Sequence, residues 1–261
     1  MALLKCLKYT MVRAGGSLLN HLRILKAVGF DGVELDSPGG PDKGEAAEAS
    51  AATGLAIPGI IDSTHWTVRH SDPDAAVRAR ALEDLKTALR DAKRVGASTV
   101  LLVPGRVNND ETENHQQVWD RSIEQVRAAL PLAAELGVRI GIENVGNGFC
   151  KTPEEAASYI DAIASPWVGH YFDIGNHRRF GPAERWVEVL GTRIIKVDVK
   201  DYSEQDGTRA EIGEGLVDWP AMREALEKIK YSGWVSAEVP GGGRERLAEI
   251  SRRMDQYLLG R

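Results

Sequence analysis

The sequence predicts a closed (β/α)8 barrel built from one domain over residues 1–261. Three observations carry that expectation. Short β-rich runs recur eight times, each followed by apolar residues at helical spacing, and a chain of 261 residues is the size such a barrel needs. Strands that alternate with helices imply parallel neighbours joined by right-handed crossovers. No Pro-, Ser- or Gly-rich linker interrupts the mixture of apolar and charged residues. The alternative is an open doubly wound sheet. It usually carries a Gly-rich phosphate fingerprint after its first strand, and Val12-Arg-Ala-Gly-Gly-Ser does not match one.

In chain order, strands are expected over Leu4–Met11, Gly32–Asp36, Ala56–Asp62, Thr99–Pro104, Val138–Asn144, Trp167–Asp173, Ile194–Lys200 and Trp234–Val239. Between them, Leu82, Leu85, Leu89, Ala92 and Val95 repeat at helical spacing, as do Ile123, Val126, Leu130 and Ala133. Ser71-Asp72-Pro73 is expected to open the third helix, with Pro in its first turn. Thr152 should cap the fifth, ahead of Pro153, Glu154 and Glu155. Gly29, Gly54, Gly96 and Gly137 stand where four helices should stop. The charge-dense Asp42–Glu48 reads as a solvated helix face.

Composition narrows the function. With 33 basic and 38 acidic residues the net charge is −5, which lacks the basic footprint of a nucleic-acid binder. Cys6 and Cys150 are too few for a disulfide framework and fit a reducing compartment. Lysines inside the first apolar stretch argue against a secretory signal, and no segment reaches the ~20 apolar residues of a membrane span. A cytoplasmic enzyme acting on a small molecule is the expectation, with assembly into a homo-oligomer left open.

The main clue is four acidic residues, each closing a short apolar run: Glu143, Asp173, Asp198 and Glu238. A carboxylate at the end of a buried strand needs a partner or costs several kcal/mol. One could find an Arg. Four on successive parallel strands converge more naturally on a divalent cation. Functional residues of such barrels gather at the strand C-termini, where Glu34, Asp36, Asp62 and His65 are also expected. Glu143 and Glu238 could divide base and acid roles across one substrate.

Other residues join the candidate site. Asp198 and Lys200 alternate with Val197 and Val199 and so share a face; an ion pair of Lys200 with Asp198 or Asp201 is the plain alternative. Asn144 follows Glu143, and Asn176 and His177 follow Asp173 beside the pocket. His177 either binds a substrate oxygen or sits on an exposed loop beside Arg178 and Arg179. His65 and Trp66 suit sugar recognition, although Trp66 could equally belong to the barrel rim. Arg209 could take an anionic group or lie in solvent, and Glu214 could touch ligand or only shape its turn. Cys150 has no His and Asp constellation for thiol catalysis.

Together, Gly29-Phe-Asp-Gly-Val-Glu-Leu, Gly141-Ile-Glu-Asn, Phe172-Asp-Ile-Gly-Asn, Val199-Lys-Asp, Gly213-Glu-Gly-Leu-Val-Asp-Trp and Ala237-Glu-Val resemble the sugar phosphate isomerase/epimerase group of the xylose isomerase-like TIM barrels. That resemblance implies one divalent ion held by Glu, Asp, His and Glu at the ends of the fifth to eighth strands. Glu143, Asp173 and Glu238 match; Asp198 stands where the His is usual. An all-carboxylate set is harder and more negative than one with imidazole, so Mn²⁺ or Mg²⁺ is expected over Zn²⁺. The resemblance further implies that Glu143 and Glu238 move protons, one removing the proton α to a ketose carbonyl to give a cis-enediolate and the other returning it to the opposite face. Aldose–ketose isomerisation and a 3-keto-glycoside lyase share that first step. A sugar-binding barrel without catalysis is a different class, disfavoured by the presence of both Glu residues. A DNA-repair endonuclease of the same fold would need a His-rich cluster and a basic groove, which six histidines and a net charge of −5 do not supply.

Overall fold

Eight parallel strands form one sheet in the computed structural model, which describes residues 3–108 and 111–261. The strands are β1 Leu3–Leu7, β2 Gly32–Ser37, β3 Ala56–Asp62, β4 Thr99–Leu102, β5 Arg139–Ile142, β6 Val168–Asp173, β7 Ile194–Val199 and β8 Gly233–Ala237. From β2 to β8 each pairs with its chain neighbour, and β1 pairs with β8. A single parallel bridge, Lys8 to Glu34, joins the remaining edges. The result is a nearly closed (β/α)8 barrel. The expected Leu4–Met11 run is strand only to Leu7, after which Tyr9–Met11 is a 3-10 turn. Met1 and Ala2, which open the stretch read as unlike a secretory signal, lie outside the described residues.

Nine α-helices cover the outside among the described residues: α1 Leu18–Ala27, α2 Lys43–Thr53, α3 Ala75–Val95, α4 His115–Leu136, α5 Pro153–Ile163, α6 Ile174–Arg178, α7 Ala183–Leu190, α8 Trp219–Lys228 and α9 Arg244–Arg253. Local chemistry sets their ends. Thr152 and Glu155 form the reciprocal capping pair at the start of α5. Gly54, Gly96 and Gly137 stop three helices in the left-handed conformation, which costs glycine no Cβ clash. The third helix departs from expectation. It starts at Ala75, capped by Asp74, whose side chain accepts from the Ala76 N–H; Ser71-Asp72-Pro73 lies in the loop before it. No helix among the described residues is long and apolar enough to cross a membrane.

The apolar core lies between strands and helices, where Val33, Leu35, Val100, Leu102, Ile140, Ile142, Phe172, Val197 and Val235 pack outward. Their alternating neighbours turn inward, and the interior is unusually polar. Glu34, Lys196, Tyr171, Thr99 and Ser236 meet there, all buried. Glycine makes the room. A side chain at Gly59 would collide with Lys196 and Glu34, and one at Gly141 with the Tyr171 ring.

Candidate metal and substrate site

Strand alternation carries the polar interior up to the C-terminal mouth. Glu143 follows Gly141 by two residues, Asp173 follows Tyr171, Asp198 follows Lys196 and Glu238 follows Ser236, so all four carboxylates continue the inward-facing rows. Each offers one oxygen, and these four atoms lie within 4.8 Å of one another. Glu143 and Glu238 stand just beyond the last residues of β5 and β8.

Neighbours fix each carboxylate. Asp173 caps α6, its Oδ1 accepting from the Asn176 N–H at 2.8 Å. The Asn176 side chain donates to Glu143 Oε1 at 2.9 Å. Lys200 Nζ bridges Asp173 Oδ2 at 2.8 Å and Glu238 Oε2 at 3.2 Å. The ion pairs considered for Lys200 with Asp198 or Asp201 therefore give way to pairs with Asp173 and Glu238. Asp198 is instead 2.9 Å from Lys8 Nζ, which also lies 2.8 Å from Glu34 Oε2.

Crowding shifts the protonation of these groups. Burial first, then Glu238 and Asp173, push the Glu143 carboxyl well above the usual range despite Lys200. Burial foremost raises Asp198 likewise, with Lys8 opposing and Glu238 adding. Glu238 differs. Burial disfavours its charge, yet Lys200 and Lys8 hold it below the ordinary glutamate value. Burial also works against Lys8 and Lys200, but the carboxylates around them keep both charged.

These side chains fit a divalent cation. The donors are hard oxygens converging on one point, and Asp198 Oδ1 is buried there without a hydrogen-bond partner. Charge is where the sequence reading falls short. It takes Asp198 as one extra negative charge and overlooks Lys8, a residue only 4% exposed whose ammonium offsets it.

The remaining candidates divide. His65 is buried with its Nδ1 accepting from the Val103 N–H, which leaves Nε2 to carry the proton; Trp66 beside it is 56% exposed at the rim. Burial lowers His65 to about 4, so the ring is neutral at physiological pH. Arg209 is exposed and lines a cleft of about 420 Å³ together with Lys8, Lys200 and Glu238. Asn144 and His177 stand behind the carboxylates. Asn144 donates to Cys150 O at 2.9 Å, while His170 and His177 both approach its Oδ1. His177 is not on an exposed loop: it stacks on Phe172 and meets Trp186 edge-on, with Nδ1 against Asp173 O. Glu214 is exposed and pairs with Arg253.

Lys8 escaped the sequence reading, and so did the parts played by Glu34, expected only as a strand-end carboxylate, and Asp201, considered only as a partner of Lys200. Lys8 and Glu34 could have been found from their period-2 place on inward rows, but a lysine in an apolar strand reads as a solvated edge residue. Asp201 accepts from the backbone N–H groups of Tyr202, Gly213 and Val217 and from Trp219 Nε1, and so organises the loop after β7.

A barrel of this order, with its acidic cluster at the strand C-termini, belongs to a recognised class. Residues 22–257 match the family model described as xylose isomerase-like TIM barrel, and the chain is a member of that family. Among its relatives, the L-ribulose-5-phosphate 3-epimerase UlaE of Salmonella paratyphi A is 25% identical over 259 residues, covering 93% of this chain and 89% of its own. The protein of the same name from Escherichia coli SE11 is 26% identical over 255 residues, with the same coverage of 93% and 89%. Of solved structures, an L-ribulose 3-epimerase superposes with a TM-score of 0.83 at 19% identity, covering 100% of this chain and 95% of that one. The IolI protein, solved with a zinc atom, gives 0.85 at 17% identity, covering 100% and 99%. These two likenesses are of fold.

Proposed function

We propose that the protein is a divalent-metal-dependent sugar epimerase that acts on a ketose phosphate through a cis-enediolate. The observation that carries this reading is the convergence of Glu143, Asp173, Asp198 and Glu238 on one point, with Glu143 and Glu238 set three strands apart around the mouth. All four would hold the ion, with Mn²⁺ or Mg²⁺ favoured by the all-oxygen donor set. When bound, it supplies electrophilic polarisation of the ketose carbonyl and the adjacent hydroxyl.

The protein supplies the rest. Glu143, aimed by Asn176, and Glu238, held by Lys200, approach a substrate from different sides; one removes the α-proton and the other delivers a proton to the opposite face. Lys200 keeps a fixed positive charge beside the developing enediolate. His65 presents a neutral N–H donor to a hydroxyl, and Trp66 an apolar face to the sugar carbons. Phosphate would lie at the outer end of the cleft. Arg13, Arg209, Thr10 and Thr208 line it there, in the loops after β1 and β7. The loops after the seventh and eighth strands commonly form the phosphate site of such barrels, and the UlaE relatives are named for a phosphorylated ketose.

The test is a panel of L-ribulose 5-phosphate and other ketose phosphates, free ketoses and 3-keto-glycosides, incubated in D₂O with Mn²⁺. Exchange of the α-proton together with appearance of the 3-epimer is the expected result. An aldose product would make it an isomerase, and aglycone release a lyase. No exchange with any member would leave a sugar-binding barrel without catalysis and overturn the reading.

A further inference from the structure

Asp198 does not stand alone under the carboxylate cluster. Lys8 Nζ reaches three groups at once: Asp198 Oδ2 at 2.9 Å, Glu34 Oε2 at 2.8 Å and the Tyr171 hydroxyl at 3.3 Å. Two of these contacts are ion pairs and the third is a hydrogen bond to the Tyr171 hydroxyl, so the ammonium is held from three sides. Its anchor is equally fixed, because Glu34 also accepts from Tyr171 and from Ser236 and pairs with Lys196. The interior of the barrel thus clamps one oxygen of Asp198 and leaves Oδ1, buried and without a hydrogen-bond partner, to serve the cluster.

We infer that Lys8 is a positioning residue for the metal site: it and Asp198 act as one unit that presents a single oxygen ligand with no net charge. Ammonium and carboxylate together carry the same charge as a neutral imidazole but offer a hard oxygen in place of nitrogen. Either residue without the other is out of balance. With Lys8 gone, Asp198 loses the partner that orients it. With Asp198 gone, a buried ammonium is left facing the cation. The inference rests on the proposed metal site and adds a coupling that the site alone does not require.

Mn²⁺ affinity, measured by calorimetry and by Mn²⁺ electron paramagnetic resonance, tests it without reference to turnover. Lys8→Met and Asp198→Asn should each weaken Mn²⁺ binding by about 10–100-fold, the usual range for loss of a group that orients a ligand. Asp198→His with Lys8 retained should weaken it by about tenfold or more as well, although histidine is itself a good metal ligand. Adding Lys8→Met to Asp198→His should then restore affinity to within a few fold of the wild type. A merely structural Lys8 would not give that recovery. Asp198→His binding Mn²⁺ as tightly as the wild type overturns the coupling, and this arm keeps its force even where a Lys8 variant does not fold. Lys8→Met leaving Mn²⁺ affinity unchanged overturns it too. A wild type that binds no divalent cation would overturn the metal reading itself, a distinguishable failure.

Discussion

Glu34→Gln removes the one negative charge shared by two interior lysines while keeping side-chain shape. Glu34 and Lys196 are each 1% exposed, so water cannot replace what is lost. The two lysines do not suffer equally. Lys8 retains the Asp198 carboxylate at 2.9 Å, whereas Lys196 retains the Thr99 hydroxyl at 3.3 Å and the Tyr171 ring, 5.6 Å from its centroid, which are both uncharged. The expected cost is therefore that of one stranded buried charge, about 3–5 kcal/mol, and not twice that. For a chain of this size such a loss lowers the melting temperature by roughly 10 °C. Urea denaturation and calorimetry read it directly. Adding Lys196→Met removes the stranded ammonium and should recover most of the loss, because the double variant leaves no unpaired charge around Tyr171 and Ser236. A Glu34→Gln protein within 1 kcal/mol of wild type, or a double variant whose losses simply add, would refute the account of the interior as one coupled network.

Two further outcomes follow from the structure. His65 is neutral in the fold, with its value lowered to about 4, and near 6.5 when unfolded, so the unfolded chain binds more protons between those limits. Its contribution to stability is present above about 6.5 and is lost as pH falls toward 4, amounting to about 2 kcal/mol between pH 7 and 5; an NMR titration showing the His65 ring protonating near 6.5 would contradict this. Asp201→Asn should strand donors among Gly213, Val217, Tyr202 and Trp219, at roughly 1–3 kcal/mol for each one left unpaired, and raise hydrogen exchange at Gly213 and Val217; unchanged exchange there would show that Asp201 does not hold the loop.

The alternation of strand and helix, and the carboxylates closing four apolar runs, were legible because periodicity and burial cost are local properties of a sequence. Glu143, Asp173, Asp198 and Glu238 needed only a count along each strand. Lys8 and Glu34 were harder. Their meaning depends on β1 and β2 meeting across the barrel seam, a long-range fact that no window of the chain contains, and without it Lys8 reads as surface and Asp198 as an uncompensated charge. Asn144 and His177 show the reverse limit: both lie beside site residues in sequence, yet they turn into a buried network with His170, because a side chain's direction at a strand end depends on the loop that follows. Asp74 displaced Ser71-Asp72-Pro73 as the start of α3 for a local reason, since an Asp one residue before a helical run caps it without any proline.

The most direct test of the account concerns the two glutamates. Glu143→Gln and Glu238→Gln keep size and hydrogen-bonding capacity while removing the ability to take or give a proton. Measured at saturating Mn²⁺ in D₂O with the ketose phosphate that the substrate panel identifies, each should lower α-proton exchange and turnover by about 10²–10⁴-fold, the usual contribution of general acid–base catalysis. Substrate binding should persist. If either variant keeps near-native exchange and turnover under those conditions, that glutamate serves the cation alone, and the proposed division of proton transfer between Glu143 and Glu238 is wrong.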